Sequence, residues 1–336
     1  MILHPGILAL LTGSALTLLL CIYAVGSGLH ILRYWDGNST SALQYRLEQR
    51  TVLVSTLVRL ALVFEVASGL LFIYTVDELH PLFVGAMCAT GTLNANPVGW
   101  NALLTKIALF FAASLWLVLN HFDEGAENYP LVRSKFATLP LIAWLVGLDL
   151  YYQVVFFSGL QPEVITSCCG ALFSSGGAGL AADLAGLPPG PTMAVFYGGA
   201  ALMLLALGVS RLWAGAIPRI LLTFIAAAFF PLALAAIISF ISLYIYQMPS
   251  HHCPFDLFQD HYHYIGYPLY LCLFTAVLYG LLPGLFSPLG RLPGLRNALA
   301  QAERRWLWFA FLALLGFLAL ASAPILFGPL SLLEST

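Results

Sequence analysis

Long unbroken runs of apolar residues alternate with short polar connections along the whole chain. Eight of these runs, near residues 7–32, 52–76, 101–120, 137–160, 192–213, 219–247, 264–286 and 306–330, reach membrane-spanning length. Crossing the hydrocarbon layer takes about 20 helical residues at about 1.5 Å each. The period-two alternation of a half-buried strand is missing, so helices rather than a closed barrel must satisfy the backbone in lipid. The pattern predicts an all-α integral membrane protein, a polytopic bundle of about eight transmembrane helices forming one domain over residues 1–336. The first run follows no basic segment and is longer than the apolar core of a cleaved signal peptide, so it is read as the first span.

Composition removes the soluble alternative. The 336 residues are 60% hydrophobic and 8% charged, whereas a soluble domain is about a quarter charged. So few charges cannot cover a water-facing globule of this size.

The distribution of charge predicts sidedness. Arg33, Arg46, Arg50, Arg133, Lys135, Arg211, Arg219, Arg291, Arg296, Arg304 and Arg305 all fall on one set of alternating connections. The opposite set (77–100, 161–191, 248–263 and both termini) carries no Arg or Lys and holds Asp77, Glu78, Glu163, Asp183, Asp256, Asp260 and Glu334. Basic residues are retained on the cytoplasmic face, so both termini are expected to be extracytoplasmic, in a bacterial inner membrane crossed several times. The sequon Asn38-Ser-Thr then faces the cytoplasm and is discarded.

Candidate chemistry gathers on the outer connections. Cys21 and Cys272 sit within spans and read as small apolar fillers, while Cys88, Cys168, Cys169 and Cys253 all fall outside. Thiols confined to an oxidising face imply structural disulfides, thiol–disulfide exchange or a soft-metal site. Adjacent cysteines rarely bridge each other, so Cys168-Cys169 suits exchange or capture of a copper-like ion. The third outer connection adds His251, His252, Asp256, Asp260, His261 and His263 around Cys253, the ordinary donors for zinc or copper. Cys253-Pro-Phe-Asp256 has the outline of a redox Cys-x-x-Cys with its second thiol replaced by a carboxylate. The first outer connection, with His80 and Cys88, is apolar enough to fold back over the bundle; the second, rich in Gly, Ser and Ala, reads as a lid. All three are expected to meet at one mouth.

Ionisable residues within spans default to functional candidates. Arg59 and Glu65 share the second span, and Asp149 in the fourth is a candidate partner for Arg59. Their readings are interhelical glue or a proton or quinone-linked relay. Lys106, near the outer end of its span, is expected to snorkel toward the interface. His30 and His121, near cytoplasmic span ends, could ligate haem b, as could His80 with His261 or His263. No Cys-x-x-Cys-His is present for covalent haem, and no nucleotide-binding or metalloprotease signature occurs.

The leading expectation is an extracytoplasmic Cys/His site for thiol–disulfide redox or soft-metal handling, within a larger complex of membrane or extracytoplasmic subunits. Copper or zinc is the expected metal, and nucleic acid is no partner. The alternatives are an electron-transfer subunit holding haem b or quinone, and a non-catalytic permease-like or scaffold subunit.

Overall fold

A computed structural model describes residues 2–37, 39, 41–161, 180–213, 215–292, 294–330 and 332. All regular structure among the described residues is helical. Eight helices are long and apolar enough to cross a membrane: α1 Pro5–Tyr34, α2 Ala42–Glu78, α3 Gly99–Glu124, α4 Val132–Ser158, α5 Pro189–Leu212, α6 Ala216–Ala236, α7 Gly266–Phe286 and α8 Arg296–Phe327. The lipid bilayer is the environment such surfaces require. Each apolar run becomes one helix, but several helices outrun their runs. α2 begins ten residues before the apolar run at 52 because Gln44 and Leu47 are buried on an otherwise exposed amphipathic extension.

The chain divides into two compact units. One comprises Met1–Glu78, Leu93–Pro162 and Leu292–Ala298, the other Leu79–Thr92, Glu163–Arg291 and Leu299–Thr336.

In the first unit α1 packs on α2 and α4, and α3 packs on the same two, giving a closed ring of four helices. Small residues allow the close approach that lipid itself does not drive. At Gly28 an added Cβ would stand 2.7 Å from the Phe136 ring, and Gly13 is pressed against Phe64 in the same way. Val58, Leu62, Leu109, Ala113, Trp116, Phe136, Leu139 and Val146 fill the apolar interior. The turn between α3 and α4 is tied internally: Asp123 Oδ1 accepts the Leu131 N–H at 2.8 Å, and Asp123 Oδ2 pairs with Lys135 Nζ at 2.5 Å.

Two expectations about the span interiors are overturned here. Lys106 does not snorkel; it is 3% exposed and pairs with Glu65 at 3.1 Å and Asp149 at 2.8 Å. Arg59 does not meet Asp149 but lies on the partly exposed face of α2, pairing with Glu124 at 3.2 Å. The physical reason is burial: two carboxylates inside the ring need a cation there, and Lys106 lies on the buried face of α3 whereas Arg59 does not.

In the second unit α6 packs between α5 and α7. Phe317 of α8 meets Phe196 of α5 and Phe229 of α6, and Tyr197 hydrogen-bonds Ser322 at 2.9 Å. Arg219 and Glu303 form an ion pair across α6 and α8. Regular α-helix stops at Ala236, where one π turn, Ile237–Ile241, precedes a last α turn, Ser242–Tyr246. Gln247 then closes the helix in the left-handed conformation, φ 56°. A π turn is a rare single-residue insertion in helix register and commonly marks functional sites.

Candidate metal centre

The connection 247–265 runs from the α turn Ser242–Tyr246 to α7 as a compact, internally bonded loop. Asp256–Phe258 and Asp260–Tyr262 form single 3-10 turns. The Phe258 ring stacks on Tyr270 at 5.2 Å, and the Tyr270 hydroxyl donates to the Pro254 carbonyl at 3.0 Å. The Tyr246 hydroxyl donates to the Cys253 carbonyl at 2.5 Å. These bonds satisfy backbone groups that a buried loop would otherwise leave unpaired. They explain how a seven-residue run, Cys253–Gln259, stays almost entirely buried outside a long helix.

The connection after α2 reaches the same place. His80–Leu82 form a 3-10 turn, Phe83 turns inward, and Cys88 immediately precedes the short helix Ala89–Asn94. The Gln259 side-chain amide donates to the Met87 carbonyl at 2.6 Å, holding the two connections together beside Cys88.

At the centre, Cys88 Sγ and Cys253 Sγ stand 3.4 Å apart, both 0% exposed. The Thr90 hydroxyl is 3.5 Å from Cys253 Sγ, and the Phe255 N–H points at the same sulfur from 3.4 Å. One ligand atom each from Cys88, Cys253 and Asp256 lies within 4.8 Å of the others. The Asp256 carboxylate is held by His251, which meets Oδ2, while its buried Oδ1 has no partner. Two thiols and a carboxylate are a donor set for zinc or a related thiophilic ion. Two sulfurs on one tetrahedral zinc at about 2.3 Å would stand roughly 3.8 Å apart, close to the observed separation.

The surrounding histidines play unequal parts. His251 orients Asp256 and packs against Tyr246. His252 turns away and bonds the Ile238 carbonyl through Nδ1 at 2.9 Å. Burial pushes its imidazole below the ordinary value, with the Ile238 bond opposing the shift. His261 is exposed and pairs with Asp260 at 2.6 Å, and that hydrogen bond holds the Asp260 carboxyl below the usual range. His263 is exposed in the left-handed conformation, φ 53°. Burial raises the nearby Tyr262 hydroxyl. Among the described residues no histidine joins the group of Cys88, Cys253 and Asp256, and His80 is half-buried on its own turn.

His30 and His121 are both exposed, with ring contacts to Tyr34 and Phe122 on their own helices. Cys168 and Cys169 lie outside the described residues, as does most of the connection expected to form a lid. Of the residues singled out from sequence, then, the fold brings together Cys88, Cys253, His251 and Asp256. The gathering that sequence reasoning missed is Lys106 with Glu65 and Asp149, since no linear spacing reports that three helices meet. No protein-family model, curated protein or solved structure matches the chain.

Proposed function

We propose that the chain is a multi-pass protein of a bacterial inner membrane that holds a thiophilic metal ion at an extracytoplasmic site made by Cys88, Cys253 and Asp256. The observation that carries this reading is the approach of two sulfurs 165 residues apart to 3.4 Å, beside a buried carboxylate oxygen that has no partner. His251 is the second-sphere residue that aims the carboxylate. Sidedness rests on the segregation of Arg and Lys to the other set of connections.

Metal handling is favoured over disulfide exchange by burial. An attacking thiolate must reach a sulfur directly, and both sulfurs are fully covered, whereas an ion needs only a narrow path. The carboxylate favours zinc over copper(I), which takes thiolates alone more readily. Delivery to or from the site would fall to a further membrane or extracytoplasmic subunit.

Metal analysis with thiol counting on anaerobically purified full-length protein tests this. About one zinc or copper per chain is expected, falling to background in Cys88→Ser and in Cys253→Ser with helical content unchanged. A metal-free wild-type chain whose Cys88 and Cys253 are joined as a disulfide overturns the reading and leaves a structural staple.

A further inference from the structure

Inside the four-helix ring of the first unit lies a polar layer independent of the thiol site. Lys106 of α3 uses all three of its N–H groups: it donates to Glu65 Oε2 at 3.1 Å and to Ser68 Oγ at 2.8 Å, both on α2, and pairs with Asp149 Oδ2 on α4 at 2.8 Å. Gln153, one turn beyond Asp149, donates to Asp149 Oδ2 at 2.6 Å and to Ser14 Oγ of α1 at 3.2 Å. Glu65, Asp149 and Gln153 are each 1% exposed or less.

The layer is short of both positive charge and hydrogen-bond donors. Two carboxylates face one ammonium, a net charge of −1 within helices that cross the membrane. Three oxygens, Glu65 Oε1, Asp149 Oδ1 and Gln153 Oε1, are buried without a partner, and Lys106 has no N–H left to offer them. Among the described residues the other titratable group that interacts with Glu65 is the buried Cys21 thiol of α1, and a thiol carries no positive charge in either protonation state. Each helix of the ring contributes one titratable group to the layer: Cys21 on α1, Glu65 on α2, Lys106 on α3 and Asp149 on α4.

We propose that this layer is an intramembrane proton-binding site, in which Glu65 and Asp149 together hold one proton at neutral pH. One carboxylic acid beside one Lys–carboxylate pair is neutral, and its O–H adds one donor to a layer in which three oxygens lack one. A sodium ion would satisfy the same charge count but would stand against the ammonium already bonded to both carboxylates. The helix ends Pro5, Glu78, Gly99 and Ser158 lie roughly two to four turns away at 3.6 residues per turn, so the proton sits well inside the bundle. The site is a place where a proton can be taken up within the membrane.

Infrared spectroscopy of the purified full chain in lipid nanodiscs tests this through the C=O stretch of a protonated carboxylic acid. Wild type at pH 7 is expected to show one more such acid per chain than either Glu65→Gln or Asp149→Asn, with a downshift in D2O and no response to sodium. Lys106→Met, if it folds, is expected to show one more acid than wild type. Equal acid content in wild type and in both isosteric variants overturns the proposal, as does a band that sodium abolishes, which would assign the site to that ion. Circular dichroism and gel filtration verify folding, and because the wild-type spectrum must itself contain an acid band, its absence there is also decisive.

Discussion

Asp256 shows how a single carboxylate can be prepared for a ligand. One oxygen is fixed by His251 and the other is buried with nothing to accept from, a cost of about 1–3 kcal/mol if it stayed unmet. Removing the orienting partner should therefore be felt at the metal: His251→Ala is expected to weaken zinc binding roughly 10- to 100-fold, the usual effect of losing such a contact. Competition titration with a chromogenic chelator measures it. His261→Ala and His263→Ala are expected to leave affinity unchanged, because both side chains are exposed and neither belongs to the ligand group. A loss of affinity in either would mean that the centre extends to the exposed turn. This inequality among histidines was not legible in the sequence, where all of them share one short segment. Composition says which donors are near one another along the chain; only the backbone path decides that His252 points at Ile238 and His251 at Asp256.

At the scale of helices, hydropathy located each helix of membrane-spanning length but not its ends. α8 starts ten residues ahead of the apolar run at 306, because its first turns are amphipathic, burying Leu299 and Glu303 while Arg304 and Arg305 face out. Helical hydrogen bonding continues wherever one face is covered, whereas a hydropathy average reports only the hydrocarbon-length middle. What hydropathy cannot report is how closely two helices approach. Pro283 has no N–H and interrupts the bonding of α7, and the Gly284 N–H instead donates to Thr223 Oγ1 of α6 at 3.1 Å. That hydroxyl donates to the Leu281 carbonyl at 3.0 Å. A Cβ on Gly284 would lie 2.7 Å from the Arg219 carbonyl oxygen, which is backbone and cannot swing aside. Gly284→Ala is expected to destabilise the second unit by about 1–3 kcal/mol, the range for overpacking, read as a lower thermal midpoint in detergent. An unchanged midpoint would show that α6 and α7 can separate without loss. A similar restriction holds near the proposed metal site: a Cβ on Gly266 would meet the Leu257 backbone carbon at 2.9 Å, so Gly266→Ala is expected to reduce metal occupancy without altering a proposed ligand.

For the molecule as a whole, orientation in the bilayer is the claim on which the metal reading depends. Cys88 and Cys253 are poor reporters, since both are fully covered. Engineered cysteines at exposed positions serve better. An impermeant maleimide added outside intact cells is expected to modify Asp260→Cys and to spare Arg46→Cys and Arg296→Cys, all three positions being exposed. The reverse pattern would put the thiol site in the reducing cytoplasm and remove the argument from compartment. The number of membrane-length helices was legible because roughly 20 apolar residues are needed for each crossing. The polar layer of Glu65, Lys106 and Asp149 was only half visible: two of its members stood out as ionisable residues within spans, but Lys106 was assigned to the interface by its distance from a helix end. Position along an axis does not report rotation about it, and rotation is what turns Lys106 inward.

The π turn at Ile237–Ile241 has a consequence for tolerance to sequence change. One inserted residue turns everything after it by about 100°, and it leaves the Ile238 carbonyl able to accept from His252. The same rotation sets the azimuth of Tyr246, whose hydroxyl grips the Cys253 carbonyl. Excising a single residue from this stretch would restore an ordinary helix still long and apolar enough to cross a membrane, yet it would swing both anchors off the thiol loop. The continuous helix Ala216–Tyr246 is therefore more vulnerable to a one-residue deletion than to most substitutions, and a frame of this kind evolves by exchanging side chains at fixed length.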